Sequence, residues 1–149
     1  TYNVKTDKNG LAKVKLAIEN KNIGKTLNVT CKFAGDDKFV ASSGSSSIKV
    51  IKTATKIINA TKLVVKNHKY FSVKLTTKAA KVLANKVITM KSSVSGKTYK
   101  IKTNSKGIAK IDLWVKNKPL GKYYKYVFKY AGSKCYNSCS KTFKIKIIK

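Results

Sequence analysis

The chain has 149 residues and a formal net charge of +29, which arises because 34 lysines face only five acidic residues and no arginine is present. Hydrophobic residues make up 42% of the sequence, which is enough to form a folded core, so the high charge alone does not predict disorder. No run of 18 apolar residues occurs, which excludes insertion of this segment into a membrane as a helix.

The first part of the chain, residues 1–52, repeats as residues 98–149 without a gap, at a constant offset of 97. Twenty of the 52 aligned positions are identical, and many others exchange similar residues. A period of 97 residues is the length of a whole domain rather than of a solenoid unit. We therefore predict that residues 1–52 form the C-terminal half of a domain, with four strands, and that residues 53–149 form a complete domain. Because the chain opens within a strand-like pattern and without a leader, we interpret it as a segment of a longer protein.

Apolar and polar residues alternate through the second part of the chain, which is the pattern of half-buried β-strands. Turn sequences such as Ser93–Gly96 and Asn104–Gly107 separate the alternating runs, as in β-hairpins. Seven short strands within about one hundred residues predict an all-β fold, an immunoglobulin-like antiparallel β-sandwich. The predicted strands are 56–66, 69–76, 85–92, 97–103, 108–116, 122–131 and 141–149.

The same alternation predicts which side chains face the core. In Phe143-Lys144-Ile145-Lys146-Ile147 the apolar residues are expected to face inward and the lysines to face water. The predicted strand 122–131 carries an aromatic row on one face, and the first copy has plain core residues at the same positions. We therefore expect this row to be core rather than a ligand platform, and Cys31, the counterpart of Phe128, to be a buried thiol.

The order of these motifs resembles a known family. The sequence runs T-D-x-N-G-x-A, then a strand ending in F/Y-A-G, then S-S-x-I-K-V, after an upstream half that contains TKLVV, KYFSVKL and GKTYKIKT. This order is similar to bacterial group-3-type immunoglobulin-like repeats, and most similar to those of adhesin-like surface proteins of methanogenic archaea. The resemblance covers essentially the whole chain and implies a cell-surface stalk or adhesin built of tandem sandwiches. It implies no particular ligand.

Few residues offer catalytic chemistry, so we predict that the chain is not an enzyme and needs no cofactor or metal. The one histidine, His68, falls in a polar turn, and no two acidic residues are placed as a general acid and base. Asp36 and Asp37 supply too few oxygens for calcium, which takes six to eight. Neither Glu19 nor Asp112 falls on an inward face, where a Lys–Asn isopeptide bond would need an acid.

Two kinds of covalent modification are predicted from short motifs. Cys135 and Cys139 lie four residues apart in a turn, close enough for a disulfide, although the related repeats usually carry Ser or Asn there. An extracellular location permits such a bridge. Asn28 and Asn59 begin the glycosylation sequons Asn-Val-Thr and Asn-Ala-Thr, and Asn28 is expected on an outward face.

Two interpretations of function follow from the sequence. The first is a structural or adhesive segment of an extracellular, cell-surface protein that contacts other cells or cell-wall polymers. The second is a polyanion-binding module for cell-wall polymer or nucleic acid, and lysine without arginine predicts weak binding without sequence preference. Clustering of lysines on one face would favour the second interpretation. The incomplete half-domain 1–52 also predicts a possible homo-oligomer, because unpaired strand edges seek partners.

Overall fold

The computed structural model describes residues 1–66, 70–113 and 118–148, with the backbone alone for residues 64–66. Within it the chain divides into two compact units, Thr1–Ile51 (unit 1) and Lys52–Lys149 (unit 2). Unit 1 contains one two-stranded sheet, and unit 2 contains a three-stranded sheet and a five-stranded sheet. The all-β class predicted from the sequence is therefore confirmed.

Unit 1 is built around a single hairpin. A short 3-10 helix, Asn20–Asn22, precedes β1 (Thr26–Phe33), which pairs antiparallel with β2 (Ser42–Lys49). The first eighteen residues contain no strand, whereas the sequence predicts four strands in residues 1–52. In unit 2 the counterparts of residues 1–5 and 11–15, which are residues 98–102 and 108–112, form strands that pair with strands from residues 53–97. No strand of the described chain pairs with the first eighteen residues.

Unit 2 is an antiparallel β-sandwich. One sheet has the order β3-β5-β8 and the other has the order β4-β10-β9-β6-β7. Among the named strands that the structure describes, β4 pairs parallel with the end of β10 and the other pairs are antiparallel. This connectivity, in which the consecutive strands β3 and β4 lie in different sheets, is that of an immunoglobulin-like sandwich. The strands are β3 (Thr55–Asn59), β4 (Val64–Lys66), β5 (Tyr70–Thr77), β6 (Val87–Ser92), β7 (Thr98–Lys102), β8 (Ile108–Asp112), β9 (Tyr123–Tyr130) and β10 (Cys139–Ile148).

The first strand predicted in unit 2 differs from the structure. The sequence predicts one strand over 56–66, and the structure has two strands there, in different sheets. A turn separates them, in which the Ala60 N–H donates to the Ser72 carbonyl and the Asn59 amide donates to the Thr61 carbonyl. Apolar residues flank this turn on both sides, so alternation alone does not reveal the break. The predicted strand 108–116 ends at Asp112, and residues 114–116 lie outside the described part of the chain.

The core of unit 2 lies between the two sheets and centres on three aromatic rings. The ring centroids of Phe71, Phe128 and Phe143 lie 5.6 to 5.9 Å apart, in tilted or edge-to-face arrangements. Such contacts between aromatic rings stabilise a core beyond the burial of their area. The prediction that the aromatic row of β9 is core is confirmed, because Tyr126, Phe128 and Tyr130 are buried.

The expectation of a buried thiol at Cys31 is wrong, since this side chain is exposed. The hairpin of unit 1 has no opposing sheet in the described part of the chain, so the face that is covered in unit 2 remains open.

The two units share the same local backbone at the offset of 97. The register of β1 with β2, from Thr26–Lys49 to Phe33–Ser42, is reproduced by β9 with β10. Gly35 and Gly132 both adopt a positive φ, +86° and +89°, and in both a Cβ atom would meet the backbone of the following loop at about 2.9 Å. The two hairpins therefore have the same backbone pairing, and each requires a glycine at the same position.

Candidate polyanion-binding face

Cys135 and Cys139 both lie partly buried near the start of β10. Cys139 opens that strand opposite Tyr130, and the Cys135 carbonyl accepts a hydrogen bond of 2.9 Å from the Thr53 N–H. Nothing in the structure tests a bridge between these two thiols, so the disulfide stays a prediction.

The two sequon asparagines are both exposed. Asn28 lies within β1, opposite Ser47, and Asn59 closes β3. The Asn59 amide already donates to the Thr61 carbonyl at 3.0 Å, and the Thr61 hydroxyl accepts from the Ser72 N–H at 3.2 Å. Asn28 is therefore the less constrained acceptor of the two, and attachment of a glycan at either remains a prediction.

The acidic residues of the loops hold turns together. One carboxylate oxygen of Asp7 accepts from the N–H groups of Asn9 and Leu11, and one of Asp36 accepts from those of Lys38 and Phe39. Among the described residues, no group of three or more His, Cys, Asp or Glu side chains is placed to hold a metal ion.

His68 lies outside the described residues. No helix in the described part of the chain is long and apolar enough to cross a membrane.

One surface of unit 2 collects lysines from four neighbouring strands. The strands β6, β9 and β10 bury alternate residues against the three-stranded sheet, and the residues between them point outward. On β7 the alternate residues Tyr99 and Ile101 pack against the core in the same way. We call the lysines that result the basic face; they are Lys91, Lys100, Lys102, Lys125, Lys129, Lys144 and Lys146.

Strand pairing brings these lysines close together. Lys125 and Lys144 lie directly opposite each other, and Lys129 is separated from Lys100 only by Thr89 on the intervening strand. Neighbouring strands lie about 4.8 Å apart, and outward residues of one strand recur about every 6.8 Å. Like charges that face each other across two strands are destabilising. Anions that bind between the lysines would relieve this repulsion.

The opposite surface of unit 2 is less basic. The outward residues of the three-stranded sheet include Lys56, Lys74 and Lys110, together with the acidic residue Asp112. Lys110 lies with its ammonium 4.2 Å from the centre of the Tyr70 ring, a cation–π contact. The lysines of this surface are therefore fewer and lie beside one carboxylate, whereas the described outward residues of β6, β7, β9 and β10 include no acidic residue.

The charge is also divided unevenly between the units. Residues 1–51 contain nine lysines and four acidic residues, a formal charge of +5, and residues 52–149 contain 25 lysines against Asp112 alone, a formal charge of +24. At the positions of the opposed pair Lys125 and Lys144, unit 1 has the neutral residues Asn28 and Ser47. Alternating lysines in each strand were visible in the sequence, but their assembly into one face depends on the pairing of strands distant in sequence.

Comparison with known proteins does not assign the chain to a family. No protein-family model matches the sequence, and no curated protein matches it either. The features of the chain that bear on its function are the duplicated hairpin, the sandwich and the distribution of charge.

Proposed function

We propose that the chain is a structural or adhesive segment of a cell-surface protein, in which tandem immunoglobulin-like units serve as a stalk or present binding surfaces. The sequence motifs that resemble adhesin-like proteins of methanogenic archaea support this proposal. The observation that carries it is the hairpin formed twice, in the same register and with the same glycine geometry, at an offset of one domain. Repetition of whole domains suits length and display.

The pairing of β4 with the last strand of unit 2 suits a stalk that carries tension. β4 lies parallel to the end of β10, from Val64 opposite Lys146 to Lys66 opposite Ile148, and the Lys146 N–H donates to the Leu63 carbonyl at 2.9 Å. Tension applied at the two ends of unit 2 pulls these parallel strands in opposite directions. Their hydrogen bonds are then loaded together rather than one after another.

Single-molecule force spectroscopy on the full chain tests this function. Unit 2 should resist extension and then unfold in one event that releases close to the contour length of its residues, about 3.4 Å for each. A variant with Val65→Pro removes one backbone donor from β4 and should lower the unfolding force. Smooth extension of the unaltered chain, without a rupture event, would contradict a load-bearing role.

We propose polyanion binding as a second function of unit 2, and the basic face is the observation that favours it. Seven lysines on one surface, without an acidic residue, attract an extended polyanion such as an anionic cell-wall polymer or a nucleic acid. Because lysine offers point charges and not a planar fork, this binding should be weak, independent of sequence and strongly dependent on salt.

The test uses the residues that unit 1 carries at the same positions. The double variant Lys125→Asn/Lys144→Ser should reduce the log–log salt slope of binding to duplex DNA by up to about 1.8, since each lost phosphate contact accounts for roughly 0.9. The matched control Lys56→Asn/Lys74→Ser removes the same charge from the opposite surface and should change the slope much less. Equal effects of the two double variants would show attraction to net charge alone and would overturn a binding role for the basic face.

A further inference from the structure

The lysines of the basic face lie along a diagonal that crosses its four strands. Strand pairing arranges the outward residues in rows, with Lys144 opposite Lys125 and Lys91 opposite Val127. From β10 through β9 and β6 to β7, the lysines lie progressively further along the strand direction, and Lys129 alone lies to one side. We call the other six the lysine diagonal; they are Lys146, Lys144, Lys125, Lys91, Lys100 and Lys102.

The lysine diagonal is long and narrow. Its ends, Lys146 and Lys102, are three strand spacings apart across the sheet and four outward residues apart along it. At the usual dimensions of a β-sheet, about 4.8 Å between strands and about 6.8 Å between outward residues, these ends lie about 31 Å apart. The other four lysines lie within about 3 Å of the line that joins the ends. Along that line the lysines occupy about five positions, separated by about 6 to 9 Å, because Lys144 and Lys125 share one position.

The residues beside the lysine diagonal are small and uncharged. Thr142 and Ser140 lie on one side of it, on β10, and Thr98 lies on the other side, on β7. Among the described outward residues of these four strands, Tyr123 is the one aromatic side chain, and the Lys146 ammonium lies 5.8 Å from the centre of its ring. A polymer that lies along the diagonal therefore meets ammonium groups beneath it and hydroxyl groups beside it, with one aromatic ring at one end.

The spacing of the lysines indicates which polymer would fit. Three bonds of an extended chain span about 3.5 Å, so a polymer with one phosphate for every six backbone bonds carries a charge about every 7 Å, and five such charges span about 28 Å. Polyol phosphates and single-stranded nucleic acids both have this repeat, whereas inorganic polyphosphate has a charge for every two bonds. Sites for single-stranded nucleic acid add aromatic side chains on which successive bases stack. The diagonal has one such side chain, so a polymer without bases fits it better.

We infer that the lysine diagonal binds an extended polyol phosphate, such as a chain of glycerol phosphate units, with about five consecutive phosphates along its length. This inference rests on the polyanion binding proposed for unit 2 and names the class of polymer. Each phosphate lies near one or two lysine ammonium groups, and charge-assisted hydrogen bonds hold it there. The hydroxyls of Thr142 and Thr98 lie beside the chain, where they donate to phosphate or polyol oxygens.

The first experiment measures how the binding constant depends on the length of the polymer, by titration of glycerol phosphate oligomers into the full chain in a calorimeter. Each phosphate contact of a single strand contributes about 0.7 to the log–log salt slope, so each added phosphate should raise the binding constant about five-fold at about 0.1 M salt. This increase should stop at about five phosphates, where the diagonal ends. A binding constant that still rises by the same factor beyond about eight phosphates would overturn a site of this length.

The second experiment moves one charge without changing the composition of the chain. The exchange Lys91→Ser/Ser140→Lys takes a lysine from the middle of the diagonal to an exposed position about 10 Å from it. Binding of a glycerol phosphate hexamer should weaken about five-fold, whereas Lys91→Arg should bind as the unaltered chain does. The exchange Lys91→Thr/Thr142→Lys should act in the same direction. Unchanged binding by both exchanges would overturn the diagonal, while Lys125→Asn/Lys144→Ser tests the polyanion-binding function separately.

The third experiment separates a polyol phosphate from a nucleic acid. A thymidine hexanucleotide and an abasic strand of the same length have the same phosphodiester backbone and differ in the presence of bases. The two strands should bind within about five-fold of each other, because the described outward residues of the basic face offer one aromatic ring and not a row of them. A greater difference in favour of the thymidine strand would identify a nucleic acid as the ligand and would overturn the inference.

Discussion

Truncation of Phe128 to alanine removes the ring of β9 from the aromatic cluster at the centre of unit 2. The ring is fully buried and lies 5.9 Å from Phe71 and 5.7 Å from Phe143, measured between centroids. Replacement of a buried phenylalanine by alanine costs about 3 to 5 kcal/mol. Because Phe128→Ala also removes two ring contacts, we expect its cost to lie at the upper end of that range. Domains of this size have a free energy of unfolding of about 5 to 15 kcal/mol. We therefore expect a loss of a third or more of the stability of unit 2.

Thermal unfolding followed by near-ultraviolet circular dichroism measures this loss. A change of 1 kcal/mol shifts the melting temperature of a domain of up to 100 residues by roughly 4 to 8 °C, so Phe128→Ala should lower it by at least about 12 °C. The matched control is Cys31→Ala, at the same register position of unit 1, where the side chain is exposed and the melting temperature of unit 2 should not change. A decrease of less than about 4 °C for Phe128→Ala would refute the assignment of this cluster as the centre of the core.

Three further outcomes are expected. Burial, and secondarily the charge of Tyr124, raise the pKa of Tyr126 to about 12 in the folded state, from 10.0 in the unfolded state. The Tyr126 hydroxyl therefore keeps its proton in the folded state while the unfolded state loses it, so the free energy of unfolding should fall as the pH rises from 10 to 12. Tyr126→Phe should flatten this fall, measured by chemical denaturation at each pH. Gly132→Ala should lower the melting temperature of unit 2, because its positive φ and the backbone contacts near 2.9 Å exclude a Cβ atom, whereas Gly35→Ala should leave that transition unchanged. Because we expect Cys135 and Cys139 to be bridged, alkylation without reductant should leave both unmodified, and modification of both thiols would contradict the predicted disulfide.

The alternation of side chains predicted the fold because most strands of unit 2 have one face in the core and one in water. In β9 the buried residues Tyr126, Phe128 and Tyr130 alternate with exposed ones, and the prediction for that strand was correct within one residue at either end. The first strand was predicted less well, because Ile57 and Ile58 are adjacent apolar residues of which only the first is buried. Local pattern cannot show that a chain leaves one sheet for the other, since this depends on the partner strands.

The basic face could not be predicted from local sequence for the same reason, whereas unpaired strand edges in residues 1–52 were expected from the incomplete repeat. Lys125 and Lys144 are nineteen residues apart in sequence, and only the register of β9 with β10 places them opposite each other. In unit 1, residues 11–15 resemble β8 in sequence but form no strand, and no described strand lies beside them as β5 lies beside β8. Strand propensity is expressed only where a neighbouring strand supplies the hydrogen bonds.

The two hairpins share their backbone geometry but differ in the side chains on both faces. Units with the same hairpin can therefore carry different surfaces. Glycines at positions 35 and 132 and a common register fix the hairpin without involving its outward side chains. The outward pair can then change from Lys125 and Lys144 to Asn28 and Ser47 without altering the strands. Repulsion between two exposed ammonium groups at the strand spacing of about 4.8 Å in water is only about 0.9 kcal/mol, less than the burial of one aromatic ring. A well-filled core therefore tolerates a strongly basic outer face, and the outward positions are where units of this kind are free to differ in what they bind.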